Sequence, residues 1–134
     1  VENHFCLGSS LRTNLEGAVQ LAEALKTYGH SAEVVPVDAG LHLKSSVNYL
    51  GEDTLLVTEA VADYPGFARY RRILVHPDEE YAANTLRVNE GLLTPKGFPR
   101  TLEQLSRLGV SVIQLEVSEV QKMDGGLTCM SLRF

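Results

Sequence analysis

The feature that most restricts the fold is a period. Three short apolar, β-branched runs begin at residues 33, 72 and 111, a constant step of 39 residues. They read Glu33-Val34-Val35-Pro36-Val37, Arg72-Ile73-Leu74-Val75-His76 and Ser111-Val112-Ile113-Gln114-Leu115. Such runs are strand signals. Pro36 cannot donate to a ladder, so its run belongs at a strand end or a sheet edge. A second strand is predicted in each unit, over Ser46–Leu50, Thr85–Asn89 and Cys129–Arg133. Further strands are predicted over 54–58, 84–89 and 92–94, with tight turns at Gly51-Glu52-Asp53 and Glu90-Gly91. A fixed period points to repeated strand–helix–strand units in a ring or array. Chance likeness among short α/β units is the competing explanation. In a ring, Ser46, Thr85 and Cys129 occupy corresponding positions and point toward one central cavity.

Helices separate the strands. Thr13-Asn14-Leu15-Glu16 reads as a capping box, in which hydroxyl and carboxylate satisfy amides at a helix start. Leu15, Val19, Ala22 and Leu25 follow at helical spacing, and Gly29 is placed to end the helix. Thr101-Leu102-Glu103-Gln104 repeats the box and Gly109 the stop. Ser118-Glu119-Val120-Gln121 is a third box on a short turn of helix. Arg-Thr opens two helices, at Arg12-Thr13 and Arg100-Thr101, and Gly-x-Ser follows both. The chain begins at Val1 without methionine and enters a strand almost at once.

Composition excludes some classes of function. A length of 134 residues suits one domain, residues 1–134, with a core of its own. A net charge of -5 argues against nucleic acid as partner and fits a cationic small substrate. No apolar run has membrane-spanning length, and no signal peptide is read. Two cysteines make no disulfide framework, so the expected compartment is cytoplasmic. No zinc-ligand spacing and no glycine-rich phosphate loop is read, so neither metal nor cofactor is expected.

Two residue types carry candidate chemistry. Cys129 follows Asp124-Gly125-Gly126, and two glycines permit a close approach or an unusual turn. A thiol after such a loop is open to a ligand; the alternative is a small buried hydrophobe, which suits Cys6 in its apolar strand. His42 has a leucine on each side, which predicts a partly buried ring able to exchange a proton, or a core histidine bonded to a carbonyl.

Gly40-Leu41-His42-Leu43-Lys44-Ser45, Tyr81-Ala82-Ala83-Asn84 and Asp124-Gly125-Gly126-Leu127-Thr128-Cys129 occur in that order. Residues 8–14 and 94–101 add to the pattern, as does the tail to Phe134. Together these segments resemble the dimethylarginine dimethylaminohydrolases of the amidinotransferase and arginine deiminase superfamily. The resemblance implies a fivefold α/β propeller of ββαβ units, of which this chain is similar to the C-terminal half. It implies Cys129 as nucleophile, His42 as general acid/base and Arg12 as the partner of a substrate α-carboxylate. Arginine suits that task through bidentate pairing. Main-chain carbonyls near Met123 and Asp124 are implied to face substrate amines. The carboxylates that hold the guanidinium in that family have no counterpart here, so a missing N-terminal half, or self-association, is an expected partner. Hydrolysis of methylated arginine is the implied reaction. Arginine deiminase chemistry, and a non-enzymatic half-propeller that binds cationic amino acids or its own copies, are the alternatives.

Overall fold

The structure, a computed structural model, describes residues 3–38 and 42–132. The start of the first strand at Val1 and Glu2, the Gly40-Leu41 pair and the end of the tail strand at Arg133 lie outside the described residues. The architecture is mixed α/β. It resolves into two compact units, residues 1–43 and 44–134.

The first unit is a β–α–β crossover. Strand β1 (His4–Ser9) pairs in parallel with β2 (Ser31–Pro36), and helix α1 (Leu15–Thr27) joins them. Pro36 ends its strand, as its missing N–H requires. Gly29 takes φ 79° and breaks α1, the conformation that favours glycine there. The N-cap is Asn14 rather than Thr13: the Asn14 side chain accepts from the Gly17 amide at 2.8 Å. Thr13 is instead held in a tight reversal with Ser10, whose amide donates to the Thr13 carbonyl at 2.8 Å. Of the α1 residues only Ala18 is buried, while Leu15 and Val19 stay exposed.

The second unit repeats one topology twice. Short helix α2 (Leu43–Ser46) leads into β3 (Val47–Gly51), which forms an antiparallel hairpin with β4 (Thr54–Val57). After α3 (Glu59–Ala62) and a 3₁₀ turn, β5 (Arg71–Leu74) returns parallel to β4. After a second 3₁₀ segment (Pro77–Ala83), β6 (Leu86–Val88) and β7 (Gly91–Pro95) form a hairpin. Helix α4 (Pro99–Ser106) then carries the chain to β8 (Ser111–Leu115), parallel to β7. Each sheet is thus a ββαβ motif, and the second and third apolar runs of the sequence are its returning strands. The predicted hairpin turns hold: Glu52, Asp53 and Asn89 all take positive φ. Leu50, Leu56, Val75, Ala83, Leu92 and Leu105 form the core of this unit.

Several expectations are corrected. Ser46 closes α2 and does not open a strand. Thr101 is not a helix cap: α4 starts at Pro99, and Thr101 lies inside it, fully buried. Proline at the first helical position removes a donor that would have no partner there, which moves the start forward. Ser118 is the first residue of α5 (Ser118–Gln121), with Val117 in the cap position. Cys129 lies on a turn rather than in a strand.

Candidate functional site

The Cys129 turn is assembled from the backbone outward. After α5 the amides of Met123, Asp124 and Gly125 bond back to Val120, Gln121 and Val120 carbonyls. Asp124 takes φ 57° to reverse the chain. Gly125 and Gly126 serve a different purpose, close approach. A Cβ on Gly125 would lie 2.6 Å from the Val120 side chain. One on Gly126 would lie 2.7 Å from the Asn84 amide group. Gly126 then accepts the amides of Cys129 and Met130 at 3.0 and 3.3 Å, which closes the turn and leaves Cys129 exposed.

Two side chains hold this turn from below. Asn84 is buried; its Oδ1 accepts the Thr128 amide at 2.9 Å and its Nδ2 donates to Thr128 Oγ1 at 3.1 Å. Tyr81 donates its hydroxyl to the Gly125 carbonyl at 2.7 Å. Burial pushes the Tyr81 phenol above its ordinary pKa, and an electrostatic contribution from the neighbouring Cys129 adds to the effect. The phenol therefore stays protonated and keeps its donor role across the neutral range. Tyr81 and Asn84 were visible in the sequence as a motif, Tyr81-Ala82-Ala83-Asn84, but their grip on a segment 44 residues away was not.

A cleft of about 550 Å³ opens beside the turn. Thr128 and Ser131 line it with Asn48, Thr85, Lys44 and Arg87. Asn48 is fixed by donating to the Lys44 and Ala83 carbonyls at 2.7 and 2.8 Å. Thr85, expected from the sequence at the position corresponding to Cys129 in its unit, is fully buried and bonds Ala82 O and Thr94 Oγ1. Among the described lining residues there are two cations and no carboxylate.

Met123 and Asp124 sit at the exposed head of the turn. Among the described hydrogen bonds none ends on either carbonyl, so both remain able to accept. The remaining candidates belong to the first unit. Arg12 is exposed, in the reversal before α1, with its amide on Ser10 Oγ at 3.1 Å. It does not occupy the same place as Arg100, which lies inside α4 and faces Asp78 at 3.9 Å. His42 precedes α2 and is exposed, not partly buried. Its neighbour Leu43 is buried: a Cβ on Gly8 would meet Leu43 Cβ at 2.8 Å. The leucine therefore anchors the segment and leaves the imidazole outside. Met123, Asp124 and Cys129 share one loop of the second unit, whereas Arg12 and His42 lie in the first.

No family model matches the chain. Its fold is shared with solved structures of low sequence identity. The amidinotransferase SxtG from Microseira wollei superposes with a TM-score of 0.85 at 17% identity, over 97% of this chain and 44% of that one. The chain is a homologue of dimethylarginine dimethylaminohydrolase. It is 44% identical over all 134 residues to the Pseudomonas aeruginosa enzyme, covering 53% of it, and 34% identical over 127 residues to that of Streptomyces coelicolor, covering 48%. The solved Pseudomonas aeruginosa structure, a Cys→Ser mutant with citrulline, matches with a TM-score of 0.97 over the whole chain and 52% of its own. The chain thus spans about half the length of the curated relatives it matches. Among the described residues no helix is long and apolar enough to cross a membrane.

Proposed function

We propose that this chain supplies the nucleophile-bearing part of a hydrolase that converts Nω-methylated arginine to citrulline and methylamine or dimethylamine. In this reading it is the C-terminal half of a fivefold α/β propeller, its ββαβ motifs being successive blades. The Cys129 thiolate attacks the guanidinium carbon and forms a C–S bond. His42 protonates the departing amine, then takes a proton from the water that displaces sulfur from the thiouronium intermediate. Arg12 pairs with the α-carboxylate, and the Met123 and Asp124 carbonyls accept from substrate nitrogens.

The carrying observation is the exposed Cys129 thiol on a turn held by Tyr81 and Asn84, in a chain 44% identical to such an enzyme. A second observation supports the pairing with His42. A solved relative carries a histidine substitution and an adduct with S-methyl-L-thiocitrulline. Its substituted histidine and the substituted cysteine of the citrulline complex lie as far apart in sequence as His42 and Cys129 do here.

Charge explains why the missing carboxylates matter. A free thiol has a pKa of about 8.5, so little is ionised at neutrality. A guanidinium roughly 4 Å away at an effective dielectric of about 20 favours the thiolate by roughly 4 kcal/mol, about a thousandfold. That activation requires carboxylates that fix the cation. Residues 1–134 by themselves are therefore expected to be a very poor catalyst, and to gain activity when the remainder of the fold supplies those carboxylates. Citrulline release is measured for the pure chain and for the chain mixed with the N-terminal half of a relative, each with and without Cys129→Ser. Ordinary turnover by the pure chain would refute the need for a partner. Turnover of the mixture that survives Cys129→Ser would refute the nucleophile. Methylated against unmodified arginine as substrate separates this activity from arginine deiminase chemistry.

A further inference from the structure

The strand pairing of the first unit gathers three ligand-bearing side chains that no catalytic role uses. In the parallel ladder Cys6 stands opposite Glu33 and His4 opposite Ser31. His4 and Cys6 are two residues apart on one strand, so both project to the same face. Glu33 Oε1 lies 3.3 Å from His4 Nε2 and 3.5 Å from Cys6 Sγ. All three ligand atoms fall within 4.8 Å of one another, and all three residues are partly exposed.

We propose that His4, Cys6 and Glu33 form a zinc site that ties β1 to β2, with water as the fourth ligand. Zinc takes Cys sulfur at about 2.3 Å, and His nitrogen and carboxylate oxygen at about 2.0–2.2 Å, in a tetrahedron. Those bond lengths place nitrogen about 3.4 Å from oxygen, and sulfur about 3.6 Å from oxygen. These two separations lie within about a tenth of an ångström of the tetrahedral edges and the third, nitrogen to sulfur, is within 4.8 Å, so side-chain adjustment on an intact ladder suffices to seat a metal. Thiolate, imidazole and carboxylate together are a donor set for a borderline-soft dication and not for magnesium or calcium.

The outer contacts fit the same assignment. His4 Nδ1 lies 2.8 Å from Ser31 Oγ. A ligating histidine characteristically donates its other N–H to a hydrogen-bond partner, which fixes the tautomer and aims the remaining nitrogen at the metal. With Nδ1–H given to Ser31, Nε2 carries its lone pair toward Glu33 and Cys6. Binding replaces the hydrogen bond that Cys6 Sγ–H donates to Glu33; the thiol proton leaves to solvent and the thiolate joins the metal. A metal bridge here closes the loop from residue 6 to residue 33, in the unit with the smaller buried core.

The competing explanation is a hydrogen-bonded trio with no metal affinity. The test uses the full chain carrying Cys129→Ser, because the sequence has two cysteines and Cys6 is then its sole thiol. Cobalt(II), the spectroscopic substitute for zinc, should give a thiolate-to-metal charge-transfer band that titrates to one equivalent and is erased by zinc. Under that background His4→Ala should weaken zinc binding at least tenfold, and Ser31→Ala, which touches no ligand atom, about tenfold or more. Absence of the charge-transfer band would overturn the proposal without any change to the three ligands. So would zinc affinity unaltered by His4→Ala in a chain whose circular dichroism shows it folded. Unaltered affinity in Ser31→Ala would overturn the orienting role assigned to Ser31.

Discussion

The dipeptide Arg-Thr lies near the start of two helices, Arg12-Thr13 ahead of α1 and Arg100-Thr101 within the first turn of α4, and the two helices begin in opposite ways. At α1 every capping group is local: Asn14 takes the Gly17 amide three residues on, and the whole start is exposed. At α4 the capping group comes from 21 residues earlier. The Glu79 carboxylate accepts the Arg100 amide at 3.1 Å, the Thr101 amide at 2.8 Å and the Thr101 hydroxyl at 2.8 Å, with Thr101 and Glu79 both buried. A carboxylate at a helix N-terminus gains from both the free amides and the dipole. The same dipeptide thus serves a surface turn in one unit and a buried polar joint in the other. The joint also steadies the functional loop, because Glu79 lies in the 3₁₀ segment that carries Tyr81 and leads into Asn84.

The largest way to break this contrast is Glu79→Ala. It leaves a buried amide and a buried hydroxyl of Thr101 without their acceptor, at about 1–3 kcal/mol each. We expect a loss of roughly 3–4 kcal/mol in urea unfolding followed through the second unit. A loss below about 1 kcal/mol would mean the joint adds little beyond ordinary surface capping.

Next in size is a lesion in the turn itself. Gly126→Ala places a methyl 2.7 Å from the Asn84 amide, which is buried and committed to Thr128. Relief requires moving the Cys129 turn or breaking the Asn84 bonds, at about 1–3 kcal/mol. The expected signature is double: lower stability, and a changed rate of Cys129 alkylation. Gly29→Ala, at positive φ with nothing within 4 Å, is the control, since it strains the backbone of the first unit without touching the turn.

The acid limb sharpens the comparison further. Burial pushes the Glu79 carboxyl up, but the Thr101 amide and hydroxyl and the Arg100 amide and charge outweigh it and hold the pKa below its ordinary value. A depressed folded-state pKa contributes stability above the unfolded value, about 4.3 for glutamate, and loses it as pH falls through the folded pKa. The stability gap between wild type and Glu79→Gln, expected near 1–2 kcal/mol at pH 7, should therefore shrink below about pH 4. A gap unchanged between pH 7 and pH 3 would show that the charge of Glu79 contributes nothing.

What could be read in advance follows the same division between near and far. The returning strands, the hairpin turns and the glycine stops at 29 and 109 are local events, and they fall where apolar runs and positive-φ positions put them. The exposure of Cys129 was readable because two glycines precede it. Two of the mistaken readings concern groups whose partners are distant. Thr101 looked like a cap because Glu103 and Gln104 follow it, while Glu79 takes its amide from outside that window. His42 looked sheltered because leucines flank it, while Leu43 turns inward, toward Gly8, and the ring stays exposed. Cys129 looked like a strand opening because Ser46 and Thr85 suggested one, while the Gly126 carbonyl closes a turn there.

The smallest effect lies at the other end of the comparison. Asn14→Ala removes the side-chain acceptor of the Gly17 amide at the start of α1 and exposes that amide to water, which can take its place. The expected cost is about 1 kcal/mol, confined to the first unit. Hydrogen exchange reads this directly: amides of α1 should open faster while those of β7 and α4 keep their protection. Asn14→Ser should restore most of the loss, since serine caps nearly as well. If exchange rose equally in α4, the start of α1 would be coupled to the second unit, and the contrast between a local cap and a distant one would fail.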